Sequence, residues 1–204
     1  MTPASARRGF YGDVAGSTAV EFALISMLFI SLMLGSIDMA RFAWEFNAQK
    51  GAARAGARYA ATHPPVVTQL VDFNAVTSCS LGGGVMLTTG MVPDYTCTST
   101  GSTASCTISG ANTCSVGNTA STTNFDAIVN YMRQFNPRIS AGNVSVSYKE
   151  RGLGVAGNPY GTDVSPLITV SLRNMTFRPI ALRIFGVTLN YPSVATTLTA
   201  EDLS

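Results

Sequence analysis

The sequence contains few of the residues that enzymes and nucleic-acid-binding proteins use for chemistry and recognition. Among 204 residues there is one histidine, charged residues make up 12%, and the formal net charge is +2. This charge, with no dense basic cluster, argues against a nucleic-acid partner. The G-x-S-x-G, H-E-x-x-H and P-loop patterns are missing from the sequence, and the Gly-rich stretch 152–157 lacks the surrounding strand-to-helix signals of a dinucleotide-binding site and is interpreted as a turn. We therefore predict a protein that is not an enzyme, with no cofactor, no metal and no small-molecule substrate.

One long apolar run stands out against this background. Residues 22–37 carry no charge, and Val20–Ile37 would form about 27 Å of helix, which just spans a hydrocarbon core of about 30 Å. A single span must be helical because only a helix satisfies its own backbone in lipid. The run is longer than the core of a cleavable secretory signal, and the nearest small-x-small pattern, Ala53-Arg54-Ala55, lies well downstream. We therefore predict one transmembrane helix, at about residues 20–37.

The helical pattern continues beyond the span as far as Thr62, because Pro64-Pro65 forces the preceding residue out of helical geometry. His63 is therefore expected at a helix end and not in a catalytic or metal site. Small residues that recur every four positions would let another backbone approach this part of the helix closely. They would pack against the protein's own domain, against neighbouring subunits, or against both. These helix-packing residues are Ala48, Ala52, Gly56 and Ala60.

Four cysteines follow the span, separated by 18, 9 and 8 positions, which does not resemble the paired spacing of zinc sites. An even number of cysteines in a compact region indicates disulfides in an oxidising compartment. Two disulfides are expected, but three pairings are possible and the sequence does not choose among them. The candidates are Cys79, Cys97, Cys106 and Cys114.

Three of these cysteines lie in a segment that is poor in apolar residues. Ser, Thr and Gly make up 18 of the 28 residues from 96 to 123. Because such a composition cannot build a core, we predict a Ser/Thr/Gly-rich surface loop over residues 77–123, held by disulfides. The loop would provide variable contacts or be a mobile insertion.

The C-terminal third shows regular periodicity. Residues 123–135 place apolar side chains on one helical face, with Thr123 as the expected cap. Alternating apolar residues predict strands at 144–148 and 168–172, and an edge strand with a bulge over 187–198. A short helix is predicted at 179–185, between proline and glycine. The expected fold is α+β, with a long N-terminal helix (17–62) and a small antiparallel sheet that carries a helix (63–204).

Glu21 is unusual because it lies inside the apolar helix, where a carboxylate is costly and normally has a partner. One interpretation is a carboxylate at the membrane edge that reaches into water. The other begins with cleavage after Gly16, which would give Ser17 a positively charged amino terminus. Glu21 could pair with that amine at i,i+4 spacing, or with the amine of a neighbouring helix.

Gly16, Glu21 and Phe22 resemble the G-xxxx-E-[FY] processing site of type IV prepilins in its tight-adherence (Flp) form. A longer set of residues resembles the TadE-like minor pseudopilins of that pilus system: Val20-Glu21-Phe22, Asp38 with Arg41, and Ala53-Arg54-Ala55-Gly56-Ala57-Arg58. The proline common early in the family's span is missing, since Ser26-Met27 stands there.

The resemblance implies that residues 1–16 form a leader, which a prepilin peptidase removes on the cytoplasmic face so that Ser17 begins the mature protein. It also implies partners among other pilins, pseudopilins and the pilus assembly machinery. The protein would then be a single-pass protein of the bacterial inner membrane, with its N-terminus in the cytoplasm and its C-terminal domain in the periplasm. The count of basic residues opposes this orientation, because more of them follow the span than precede it.

Two functional hypotheses remain at this point. The first is a minor pseudopilin that initiates or supports assembly of a tight-adherence pilus, either within the filament or beneath it. The second is a membrane-anchored extracytoplasmic binding or sensor module with no role in a filament. The identity of the mature N-terminal residue distinguishes them.

Overall fold

The computed structural model describes residues 14–181, 183 and 186–200. Most of the predicted leader and part of the predicted 179–185 helix lie outside the described residues. The chain divides into two compact units, Met1–Ala43 with Arg178–Thr188, and Trp44–Phe177 with Leu189–Ser204. The fold class is α+β, as predicted.

Helix α1 (Val14–Ala61) has 48 residues and no proline. At 1.5 Å per residue it is about 72 Å long. It ends just before His63 and the two prolines that follow, as their backbone restriction requires. The ring of His63 stacks on Tyr59, with the ring centroids 3.7 Å apart.

The second unit is built on a five-stranded antiparallel sheet in the order β2-β1-β3-β4-β7. Side chains alternate between buried and partly exposed along β4, as expected for a sheet with one covered face. A separate two-stranded sheet pairs β5 with β6. The strands are β1 (Asp94–Thr100), β2 (Thr103–Ser109), β3 (Val144–Lys149), β4 (Leu167–Leu172), β5 (Thr176–Phe177), β6 (Leu189–Asn190) and β7 (Val194–Thr199).

Two shorter helices belong to the same unit, α2 (Ala75–Ser78) and α3 (Thr122–Arg133). The predicted apolar face of α3 is buried, but the predicted cap is wrong. Ser121, not Thr123, accepts the hydrogen bond from the backbone N–H of Asn124. Phe135, which we expected on the buried face, lies beyond the helix and is 49% exposed.

The region predicted as a surface loop contains a regular hairpin. Strands β1 and β2 pair in register from Asp94↔Ser109 to Thr100↔Thr103. Composition was misleading here because threonine suits a pleated strand, and because Tyr95 and Cys97 supply a buried side to the hairpin. The disulfides join Cys97 to Cys106 directly across the two strands, and Cys79 to Cys114.

The predicted edge strand over 187–198 is two strands in two sheets. β6 pairs with β5, whereas β7 forms one edge of the main sheet. Pro192, between them, lacks the N–H that a continuous ladder would need, so the chain changes partner there.

A single buried carboxylate organises the loops beside the sheet. Asp163 is 2% exposed and accepts hydrogen bonds from the backbone N–H groups of Ala75, Gly157 and Asn158, at 2.6–2.8 Å. Its own N–H donates to the carbonyl of Phe73. Three chain segments with little apolar content are thus held together through their backbones.

Candidate functional site

The predicted processing residues all lie within α1 and are exposed. Gly16, Ser17, Glu21 and Phe22 are each accessible, and the Phe22 side chain is 73% exposed. A Cβ atom added at Gly16 would meet no neighbouring atom within 4 Å. This end of the helix is therefore open to another molecule.

Ser17 and Glu21 are four residues apart, so they lie on the same face of α1. Among the residues that the structure describes, the Glu21 side chain has no hydrogen-bond or ion-pair partner. The carboxylate thus remains able to accept a partner that is not part of the described chain.

The apolar run is uncovered within its unit. Its large side chains are 48–73% exposed from Val20 to Ile37, apart from half-buried Leu34. Among the described residues one helix is long and apolar enough to cross a membrane, and none of its most apolar window is buried. A shallow apolar groove runs along it, lined by Leu24, Met27, Leu28, Ser31, Leu32, Gly35 and Ser36.

Two of the three serine hydroxyl groups in this run, those of Ser31 and Ser36, are satisfied inside the helix. Ser31 donates to the carbonyl of Met27, and Ser36 donates to the carbonyl of Met33 at 2.8 Å. Because these hydroxyls already have acceptors, they add little to the cost of placing the helix in lipid.

Asp38, the first charged residue after the run, binds a distant segment of its own unit. It is 7% exposed and accepts hydrogen bonds from the N–H groups of Ile180 and Ala181, both at 2.8 Å. Arg41 forms an ion pair with it at 3.3 Å. The Ile180 N–H, and then the Ala181 N–H and Arg41, hold the pKa of Asp38 below the ordinary aspartate value. The sequence analysis connected Asp38 only with Arg41 and missed the segment that it anchors.

In the second unit, Glu45 makes a comparable cluster. One Glu45 oxygen, Oε2, accepts from Arg138 Nη1 at 2.5 Å and from the Tyr191 hydroxyl at 2.9 Å. Lys50 lies 4.3 Å from the centroid of the Phe46 ring, which stacks on Tyr191. This cluster joins the part of α1 at the start of the second unit to the loop after α3 and to the segment between β6 and β7. The sequence gives no sign of this cluster, because Arg138 and Tyr191 lie 93 and 146 residues from Glu45.

The small residues of α1 face the protein's own domain. Ala52, Gly56 and Ala60 are buried and Ala48 is half-buried. A Cβ added at Gly56 would come within 2.6 Å of Met132 Sδ and 3.3 Å of Val170 Cγ1. Glycine at this position therefore permits the close packing of α1 on α3 and β4.

The described residues contain no group of three or more His, Cys, Asp or Glu side chains that could hold a metal ion. Two buried tyrosines, Tyr95 and Tyr148, are paired across β1 and β3. Burial raises the pKa of Tyr95 to about 12 and raises that of Tyr148 as well. Both side chains are fully buried and contribute to the packing of the sheet.

One exposed apolar helix and one antiparallel α+β domain define the class, a single-pass membrane protein. Residues 16–58 match the model of the family described as "TadE-like protein". The predicted resemblance to TadE-like proteins is confirmed over this segment, which is less than half of the chain. No curated protein and no solved structure gave a significant match to the chain.

Proposed function

We propose that this protein is a minor pseudopilin that initiates or supports assembly of a tight-adherence pilus. The observation that carries the proposal is the uncovered apolar run of α1, residues 20–37, which lies within the TadE-like segment 16–58 and follows the Gly16–Ser17 junction. TadE-like pilus components are generally structural proteins, and a structural role needs no catalytic group.

In the proposed mechanism a prepilin peptidase cuts after Gly16 on the cytoplasmic face of the membrane. The new Ser17 amine pairs with Glu21, in the same chain or on a neighbouring pilin helix. The pair neutralises two charges that would otherwise be costly inside an apolar assembly. The exposure of Glu21, with no bonded partner among the described residues, supports this role.

The processed helix then packs against other pilin helices. Ser31 and Gly35 lie four residues apart in the apolar groove, and small residues at that spacing allow a close approach of helices. Because the Ser31 and Ser36 hydroxyls are bonded within the helix itself, these two hydrogen bonds are kept when the helix passes from lipid into a protein assembly.

We place the N-terminus in the cytoplasm and the α+β domain in the periplasm. The two disulfides support this orientation, because disulfides persist in an oxidising compartment. The excess of basic residues after the span opposes it and makes a direct test worthwhile. A cysteine-modifying reagent that does not cross membranes should label a periplasmic Ser102→Cys variant in intact cells.

Mass spectrometry of the mature N-terminus tests the proposal. A protein that begins at Ser17 in cells with the peptidase, and at Met1 in cells without it, is the expected result. A Gly16→Leu variant should remain uncut, and it should still fold because there is space around this position. An intact Met1 in piliated cells would contradict the proposal and favour an anchored binding or sensor module.

A second experiment isolates the charge pair. Glu21→Ala should abolish pilus formation, as seen by electron microscopy, even where cleavage after Gly16 persists. Glu21→Asp, which keeps the charge, is the matched control and should retain part of the piliation. Normal pili in the alanine variant would rule out the pairing.

A further inference from the structure

The two edges of the five-stranded sheet differ in whether their outward backbone groups are satisfied. At the β2 edge, the N–H of Ala104 donates to Thr122 Oγ1 at 3.1 Å. The carbonyl of Cys106 accepts from Asn118 Nδ2 at 2.7 Å. The side chains of Asn118 and Thr122, before and at the start of α3, therefore occupy part of this edge.

The direction of the free groups on β7 follows from the ladder. The N–H of Arg173, which follows β4, donates to the carbonyl of Asn143, which precedes β3. Asn143 and Arg173 are therefore a hydrogen-bonded pair at the end of the β3–β4 ladder. Hydrogen-bonded and non-hydrogen-bonded pairs alternate in an antiparallel ladder, so Leu172, Val170 and Ile168 bond toward β7. The hydrogen bond from Ala200 N to the Pro166 carbonyl continues the same alternation.

On β7 the partners of those residues are Val194, Thr196 and Leu198. The N–H and C=O groups of Ala195, Thr197 and Thr199 consequently point away from the sheet. All three residues are exposed, and none of the described residues forms a hydrogen bond to their outward backbone groups.

The β7 edge also lacks the features that protect exposed strands. Residues 194–199 include no charged residue and no proline, and all six pair in register with β4. Natural edge strands are usually protected by lysine, proline, a bulge or a covering segment. An uncharged, regular and uncovered strand is suited to pairing with another strand.

We propose that β7 pairs antiparallel with β7 of a second copy of this chain, making one continuous sheet across a two-fold axis at Thr197. In this register Ala195 faces the partner's Thr199, and Thr197 faces the partner's Thr197. The outward groups of each strand then satisfy those of the other, and threonine pairs across strands are favourable.

A second copy is the occupant that the structure favours. Joining copies head to tail would need two different open edges, and Asn118 and Thr122 obstruct the β2 edge. A two-fold arrangement uses the same edge twice and stops at a dimer. Because β7 is uncharged, bringing two copies of it together meets no like-charge repulsion.

Cross-linking of the full-length protein in its native membranes tests the pairing. Cα atoms of a hydrogen-bonded antiparallel pair are about 5.5 Å apart, within the range that a disulfide bridges. A Thr197→Cys variant under mild oxidation should give a covalent dimer on non-reducing electrophoresis. Thr103→Cys, exposed on the opposite edge, is the matched control and should give roughly tenfold less. Equal yields, no dimer, or a cross-link to a different protein would overturn the proposal.

A second variant separates the strand edge from contacts made by the membrane helix. Thr197→Pro removes an outward N–H that the β4 ladder does not use, so the fold should persist. Light scattering in detergent should then show a dimer for the unmodified protein and a monomer for the variant. The proline variant also loses the hydrogen bond of 2.8 Å between Thr197 Oγ1 and Thr169 Oγ1. Thr169→Val removes the same hydrogen bond without changing β7, so it is the matched control and should remain dimeric. A Thr197→Pro protein that is still dimeric would contradict β7 pairing.

Discussion

The two units of this chain treat apolar side chains in opposite ways, although one helix runs through both. In the first unit the large apolar side chains of α1 are mostly exposed. Polar contacts, such as the hydrogen bond that Asp38 accepts from the N–H of Ile180, connect the helix to the rest of this unit. In the second unit the same helix buries its small residues against α3 and β4. An apolar sequence therefore predicts burial only when the partner surface lies in the same chain; otherwise it indicates lipid or another subunit.

The strongest test of this contrast places the same side chain at two glycines of α1. Gly56→Leu should lower the free energy of unfolding of the domain by about 3 kcal/mol, because Met132 and Val170 leave no room. Gly35→Leu should leave it unchanged, because a Cβ atom added at Gly35 would meet no atom within 4 Å.

Chemical denaturation in detergent, followed by the near-ultraviolet signal, measures both variants. Equal effects at the two positions would show that the helix is packed alike in both units, and the contrast would be wrong.

A smaller effect is expected from two tyrosines that face each other in the sheet. Tyr148 accepts a hydrogen bond from the N–H of Val66 at 3.0 Å, whereas the buried Tyr95 hydroxyl has no partner among the described residues. Tyr148→Phe would leave a buried N–H unsatisfied and should destabilise the domain by about 1–2 kcal/mol. Tyr95→Phe should be neutral or slightly stabilising.

Thermal unfolding of the two phenylalanine variants side by side checks this expectation. A larger loss for Tyr95→Phe than for Tyr148→Phe would contradict the hydrogen-bond assignment.

The smallest effect on the unfolding of the domain is expected at Asp38, because its contacts among the described residues all lie in the first unit. Asp38→Ala removes the acceptor for Ile180 and Ala181, so trypsin should cut after Arg183 several-fold faster. The unfolding transition of the second unit should not move.

Asp38→Asn, which keeps one acceptor oxygen, is the matched variant and should be intermediate in the rate of cutting. Unchanged cutting in the alanine variant would show that Asp38 does not hold this segment.

Periodicity predicted the helices and strands whose apolar residues recur at one regular spacing along the whole element. Helix α1 ends next to the predicted prolines, α3 buries the predicted face, and β3 and β4 lie at the predicted positions. The β1–β2 hairpin was missed because its threonines and serines look like a loop unless the buried Tyr95 and Cys97 are counted separately.

The long-range contacts of the site could not have been derived in the same way. Asp38 meets Ile180 across 142 positions, and Glu45 meets Tyr191 across 146. Which carboxylate meets which distant group depends on the folded path of the chain. The processing motif was recognisable because its residues are neighbours in sequence.

Asp163 suggests how this domain can change its outer surface without changing its frame. The carboxylate accepts hydrogen bonds from main-chain N–H groups at the start of the loop from 157 to 162, and the Asn158 side chain bonds Thr162 and Tyr160 within it. The Tyr160 side chain, at the tip, is 95% exposed and takes no part in these bonds. The side chain at position 160 can therefore be exchanged for one with different chemistry, and the domain would present a new contact on an unaltered support.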